Sequence, residues 1–385
     1  MTDVQKRNNQ SDVINALGII AVVISHTDSP LDNFVSLFHV AIFFIAAGFF
    51  FKNEYTISIR SIFIFLKKKF YRLWVPFIIW NTFFLLLQNL FITVGLYSSD
   101  DSLFLSLGES VTNVVPWLKT TDLVREIGKV ILFAGGTQLG GTMWFLRILF
   151  QILCVYAVVN FILFKVSHHY KVRNQEAWII GLQGVFSLLF LFIGYWFSVN
   201  KITTLGIGKT CSYYFLVYLG QVWKLYMVPI LMKWKRIHIL VIGSVSLVIL
   251  LVFSKCVKLS YSGHIYTHPL ILFSAAITGW CFVWMLSFFI LETKNIESFF
   301  SYLGRESLIV MIIHPLCFKI VSLFWIIINI KPMKYLAIFP SISNIGVWWI
   351  VYVVVGLILS LFIAFLINNG KKTWIKLFVL FRRKN

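Results

Sequence analysis

Residues 177–199 read AWIIGLQGVFSLLFLFIGYWFSV, a run of twenty-three residues without a single charge. A helix needs roughly 20 apolar residues to cross the hydrocarbon of a bilayer, and buried helices of soluble domains are commonly shorter. Nine further stretches share this character: about 12–30, 33–51, 73–98, 143–166, 211–232, 238–257, 269–291, 306–329 and 344–369. A spanning backbone must satisfy its own hydrogen bonds, and the period-2 alternation of a membrane barrel strand is absent. The reading is an all-α integral membrane protein, a bundle of about ten transmembrane helices.

The chain has 385 residues, of which 59% are hydrophobic and only 12% charged, which excludes a disordered chain. Thirty-four Lys and Arg against fourteen Asp and Glu leave a net charge of +20. That excess is sorted by side. Twenty-two basic residues fall in one set of inter-span segments and nine in the other, with Arg147, Lys224 and Lys319 inside spans. Basic loops mark the cytoplasmic face, so both termini are expected inside and the positive charge is a topology signal, with no nucleic acid as partner. We expect one transmembrane domain over 10–370 and a basic cytoplasmic tail over 371–385, where Trp374, Phe378 and Phe381 suit an interfacial helix against membrane lipids. The first run follows Lys6 and Arg7 as a signal peptide would. No small-residue cleavage pattern follows it, so it reads as a retained span. Segment 121–133 has a helical pattern suited to lying against the membrane.

Cys154, Cys211, Cys256, Cys281 and Cys317 stand singly, without the spacing of a zinc or redox site. No disulfide framework and no metal are expected. The phosphate-binding, dinucleotide-binding, hydrolase-elbow and zinc-protease motifs do not occur.

Ionisable groups within spans are costly and point to function. His26 closes the first span, with Asn15 eleven residues earlier on the same face. It suits a general base, since an unperturbed imidazole titrates near 6.5, and Asp28 is near enough in sequence to tune it. An interfacial histidine that meets water is the alternative. His39 lies at similar depth in the second span and His314, followed by Pro315, at mid-depth in the ninth. Each reads either as a site residue or as an interhelical packing histidine. Arg147 either snorkels to the interface or binds an anionic group; Lys224 either pairs with a carboxylate or orients substrate. Lys319 reads as interfacial. The run Lys67-Lys68-Lys69-Phe70-Tyr71-Arg72 either anchors the third span on anionic lipid or docks a polyanionic cofactor.

In chain order, several of these segments resemble motifs of the acyltransferase-3 family, bacterial membrane O-acyltransferases that include the fucose 4-O-acetylase-like proteins. Asp12 to His26 resembles its opening helix. Phe38-His39-Val40-Ala41-Ile42-Phe43-Phe44-Ile45-Ala46-Ala47-Gly48 resembles its second-helix motif. Lys68-Lys69-Phe70-Tyr71-Arg72-Leu73-Trp74-Val75-Pro76 is similar to its cytoplasmic K-K-x-x-R-L-x-x-P, Trp144-Phe145-Leu146 to its W-F-L, and Leu303 to His314 to its late histidine motif. The likeness covers about 10–370. It departs at Asn15, where the family carries a basic residue, and at Ala46, usually Ser.

The resemblance implies transfer of an acyl group, most often acetyl, from cytoplasmic acetyl-CoA to a sugar hydroxyl of a surface polysaccharide or its lipid-linked precursor, in the cell membrane of a bacterium. The chemistry of that transfer needs a base for the hydroxyl, and His26, with Asp28 beside it, is our choice. His314, Arg147 or Lys224 would face the oxyanion. His39, Trp144 and Asn15 would lie at the substrate, and Lys68, Lys69 and Arg72 would hold the nucleotide phosphates. The competing readings are a glycan or lipid flippase and a non-catalytic subunit of a polysaccharide assembly complex. The inverted internal repeats of many transporters are not seen.

Overall fold

The computed structural model describes residues 3–106 and 114–382, which form seventeen α-helices. In order they are α1 (Asp3–Ser25), α2 (Asp32–Ser36), α3 (Ala41–Phe49), α4 (Ile59–Lys69), α5 (Val75–Leu86), α6 (Gln88–Thr93), α7 (Asp101–Ser106), α8 (Thr120–Ile131) and α9 (Trp144–His169). There follow α10 (Gln175–Val199), α11 (Ile207–Val222), α12 (Val228–Leu231), α13 (Arg236–Cys256), α14 (Pro269–Ile290), α15 (Lys294–Arg305), α16 (Ser307–Ile328) and α17 (Trp348–Arg382). No strand forms among the described residues, and the only extended pairing is a bridge between Ser260 and Ile265.

Among the described residues eight helical segments are long and apolar enough to cross a membrane, and they match eight of the expected spans. The first expected span is shorter, an apolar helix over Asn9–Ser25 within α1. The third, 73–98, is not one helix. A π turn over Phe70–Trp74 leads into α5, the chain breaks at Leu87, and α6 ends at Thr93. Polar side chains explain the break: Gln88 Nε2 donates to Pro116 O and Asn89 Nδ2 to Leu118 O, so this segment is bound to the chain before α8. Segment 121–133 is helical as expected, and α8 packs on α5. The backbone of α17 continues past residue 370 without interruption; the side chains of the basic tail, and those of Lys6 and Arg7, lie outside the described residues.

Prolines place the irregular turns. A helical proline lacks its N–H and crowds the carbonyl four residues back. Pro76 stands over Arg72 and Pro229 over Leu225, and in both places the helix widens into a π turn, Phe70–Trp74 and Trp223–Met227. In α16, Pro315 relieves the Met311 carbonyl of its helical partner, and Thr142 Oγ1 donates to it at 2.9 Å. One sequence-local defect thus ties the start of α9 to the middle of α16.

Helices meet in this core through small residues and buried polar groups, as membrane helices do. A Cβ on Gly48 would lie 1.8 Å from Val217 O, and one on Gly220 1.9 Å from Ile45 O. The α3–α11 contact is therefore backbone against backbone, and only glycine permits it. A chain of polar side chains links α9, α10 and α11: Asn160 to Thr56, Gln183 to Asn160, Tyr214 to Gln183, and Tyr156 to Gln221. On the outside, Val185, Leu188 and Phe192 leave one face of α10 apolar and exposed, as a lipid-facing helix requires.

Lys319 departs from the interfacial reading. It is 2% exposed, and its ammonium donates to Leu336 O at 2.8 Å and Ile338 O at 2.6 Å. It fastens the segment that follows α16 against the bundle. That segment continues to Ser341, whose hydroxyl donates to His26 O, and to Asn344, whose backbone N–H donates to the Asp28 carboxylate.

Candidate active site

His26 follows the last residue of α1 and His314 lies in the first half of α16, 288 positions away. The fold sets His26 Nδ1 3.3 Å from His314 Nε2, with ring centroids 5.2 Å apart. Their partners assign the protons. His314 Nδ1 lies 2.9 Å from Val310 O, and His26 Nδ1 lies 2.9 Å from Val22 O. A carbonyl only accepts, so both Nδ1 atoms carry hydrogen. His314 Nε2 is then a lone pair that accepts a second, longer branch of the His26 Nδ1–H bond. His26 Nε2 is left unprotonated, the form a general base needs.

A cavity of about 50 Å³ lies beside this pair, lined among others by His26, His39, Thr142, Trp144, Ser262 and Met311. It has room for a water or a hydroxyl group. His39 comes from the turn before α3. Its Nδ1 is held by Val35 O at 3.1 Å, which leaves its Nε2 without a proton as well.

Of the residues singled out from sequence, His26, His39 and Trp144 line this cavity and His314 stands behind His26. With Nδ1–H committed to Val310 and Nε2 to His26, His314 offers no free N–H to an oxyanion. Its geometry suits a positioning partner instead. Asp28 is exposed, and its carboxylate accepts from Asn344 rather than from either histidine. Arg147, one turn after Trp144, donates to Phe133 O. Lys224 is at the other end of α3: its ammonium donates to Phe51 O at 3.0 Å and lines a second cavity of about 330 Å³ with Lys52, Asn53, Glu54, Glu176 and Gln221. Asn15 lines neither cavity. Nor do Lys68, Lys69 and Arg72, which cluster where α4 passes into its π turn; Lys68 and Arg72 are exposed and Lys69 is half-buried. Burial, with Arg72 and Lys68 adding repulsion, brings Lys69 down to about 8. Among the described residues no three His, Cys, Asp or Glu side chains gather as a metal site would require.

Sequence reasoning missed Lys209. Its ammonium sits 5.0 Å from the Trp144 ring centroid and donates to Ser262 O at 2.6 Å, so it touches two residues of the histidine cavity. Read linearly it was one of nine charges on a face, and nothing local distinguished it. Thr142 and Met311 were equally invisible, because their meeting depends on Pro315 acting across two helices.

The bundle defines a multi-pass membrane protein, with a histidine pair beside a small cavity. A family model described as an acyltransferase domain matches residues 8–379, and the chain belongs to this family, acyltransferase-3. No curated protein and no solved structure matches it. The resemblance read from the five motifs is thereby borne out over almost the whole chain, and with it membrane acyltransferase as the class.

Proposed function

We propose that the protein moves an acetyl group from acetyl-CoA on the cytoplasmic side to a hydroxyl of a surface polysaccharide sugar or its lipid-linked precursor. The observation that carries this reading is the hold on His26 Nδ1, which lies 2.9 Å from Val22 O and so leaves Nε2 as the basic nitrogen of a residue that lines the cavity. His26 Nε2 takes the proton of the sugar hydroxyl as its oxygen attacks the thioester carbonyl; the C–S bond then breaks, and the imidazolium Nε2–H passes that proton to the leaving thiolate to release the thiol. The imidazolium so formed keeps Nδ1–H directed at two acceptors, Val22 O and His314 Nε2, which stabilise its charge.

Lys68, Lys69 and Arg72 are the residues that would hold the nucleotide phosphates of the donor, with Lys in the role of point charges and Arg as a fork. Lys224 and Lys52 flank a cavity at the same end of α3 as Phe51. α3 is nine residues long, roughly 14 Å at 1.5 Å per residue, a length the donor's acyl arm has to cover to reach the base from that end. Both termini lie in the cytoplasm in this arrangement, following the basic loops.

The test is glycan analysis by mass spectrometry in cells carrying the wild-type gene, the His26→Ala variant, or neither. Alkali-labile acetyl ester in the wild type alone is expected. Ester retained in His26→Ala, with the protein present in the membrane, removes His26 from the mechanism.

A further inference from the structure

Two cations stand beside the histidine cavity without a carboxylate between them. Lys209 lies over Trp144 and donates to Ser262 O, and both of those residues line the cavity. Arg147 is on the same face of α9 as Trp144, within electrostatic reach of Lys209. Its Nη1 is committed to Phe133 O, while its Nε is buried and has no hydrogen-bond partner. The ion pairs among the described residues are Arg125–Asp122, Lys129–Glu126, Arg236–Glu292 and Arg305–Asp12; neither Arg147 nor Lys209 takes part.

Like charges held together at the edge of an apolar bundle are costly, and so is a buried donor left without an acceptor. Such an arrangement persists where something of opposite sign completes it. Arg supplies a planar fork and Lys a mobile point charge, the combination that grips a carboxylate or a phosphate. Among the described residues no carboxylate pairs with either cation. The acyl donor's phosphates are assigned, on the reading above, to Lys68, Lys69 and Arg72, around the π turn whose Trp74 packs on Phe133.

We propose that Arg147 and Lys209 form an anion subsite for the acceptor, which therefore carries a carboxylate or phosphate near the hydroxyl that reacts. This rests on the acyl-transfer reading for the word acceptor, but not for the binding itself. An anionic group at Lys209 would set the adjoining sugar ring on Trp144 and its hydroxyl in the cavity at His26. Neutral glycans would lack this hold.

The test measures binding to the full-length protein in nanodiscs by ligand-induced thermal shift, with three probes. These are a glucuronate-containing tetrasaccharide, the same tetrasaccharide with its carboxyls reduced to hydroxymethyl groups, and a polyprenyl diphosphate disaccharide of neutral sugars. Expected is binding of one anionic probe at least tenfold tighter than the reduced one, weakening with salt. Lys209→Gln and Arg147→Gln should each remove about tenfold of that, and the double variant should lose the preference while binding the reduced probe as the wild type does. Lys209→Arg should retain it. A response to the uronate identifies an acidic glycan, and a response to the diphosphate a lipid-linked precursor. Equal binding of charged and reduced probes, a preference surviving in the double variant, or no binding of any probe overturns the proposal. Acetyl transfer by His26→Ala is scored separately, so failure of the acyl-transfer reading leaves this binding ratio to stand or fall alone.

Discussion

Replacing His314 with leucine tests the paired-histidine reasoning most directly. The substitution removes one acceptor from His26 Nδ1–H and leaves the other, Val22 O at 2.9 Å. No buried donor is orphaned, and the Val310 carbonyl retains its place in the helical ladder, so the variant should fold. A positioned general base is worth about 10²–10⁴-fold. His26→Ala should lose all of that. His314→Leu should lose less, because the remaining bond is the shorter one, 2.9 Å against 3.3 Å. We expect a fall in kcat of about 10–100-fold, or about 1.4–2.7 kcal/mol of barrier, with KM for acetyl-CoA little changed. His314→Gln, which can present an acceptor oxygen, should recover part of the loss. The double variant should be no worse than His26→Ala alone, since His314 acts only through His26. The assay is initial-rate transfer of radiolabelled acetyl groups by protein in nanodiscs. Activity of His314→Leu within twofold of wild type, or a double variant whose defect is the product of the two single ones, would refute the arrangement.

Further outcomes follow from other residues. Gly48→Ala places a Cβ 1.8 Å from Val217 O, forcing α3 and α11 apart, and should lower stability by at least about 1–3 kcal/mol, read as a reduced melting temperature in detergent. Lys319→Met leaves the Leu336 and Ile338 carbonyls without their donor. It should raise hydrogen exchange across 333–345 and cost about 1–3 kcal/mol for each carbonyl that water cannot reach. Lys69 titrates at about 8, so its charge is present below that pH and lost above it. If it holds donor phosphate, KM for acetyl-CoA should rise between pH 7 and 9, and Lys69→Gln should flatten the profile.

Much of the fold was legible because a bilayer imposes a length and a composition that each helix must meet alone. Residues 177–199 could hardly be anything other than the span they form in α10. The third span misled for a local reason with a distant cause: 73–98 is apolar enough, but Gln88 and Asn89 turn to carbonyls of Pro116 and Leu118, which no window of hydropathy can see. Lys319 misled in the same way, since an intramembrane lysine reads as interfacial until its two carbonyl partners are known. The π turns were readable in principle from Pro76 and Pro229, the signal being a proline inside an apolar helix.

By itself the sequence determined that this is a helical membrane protein, and its ordered motifs indicated the acyltransferase family, because both follow from local composition and spacing. Only the tertiary structure decided which of the conspicuous residues share a site. It joined His26 to His314, moved Asp28 to a loop, sent Lys224 to the far end of α3 and brought in Lys209 unannounced. The reason is physical: protonation and charge take their meaning from partners within about 3 Å, and here those partners are 4 to 316 positions away in the chain.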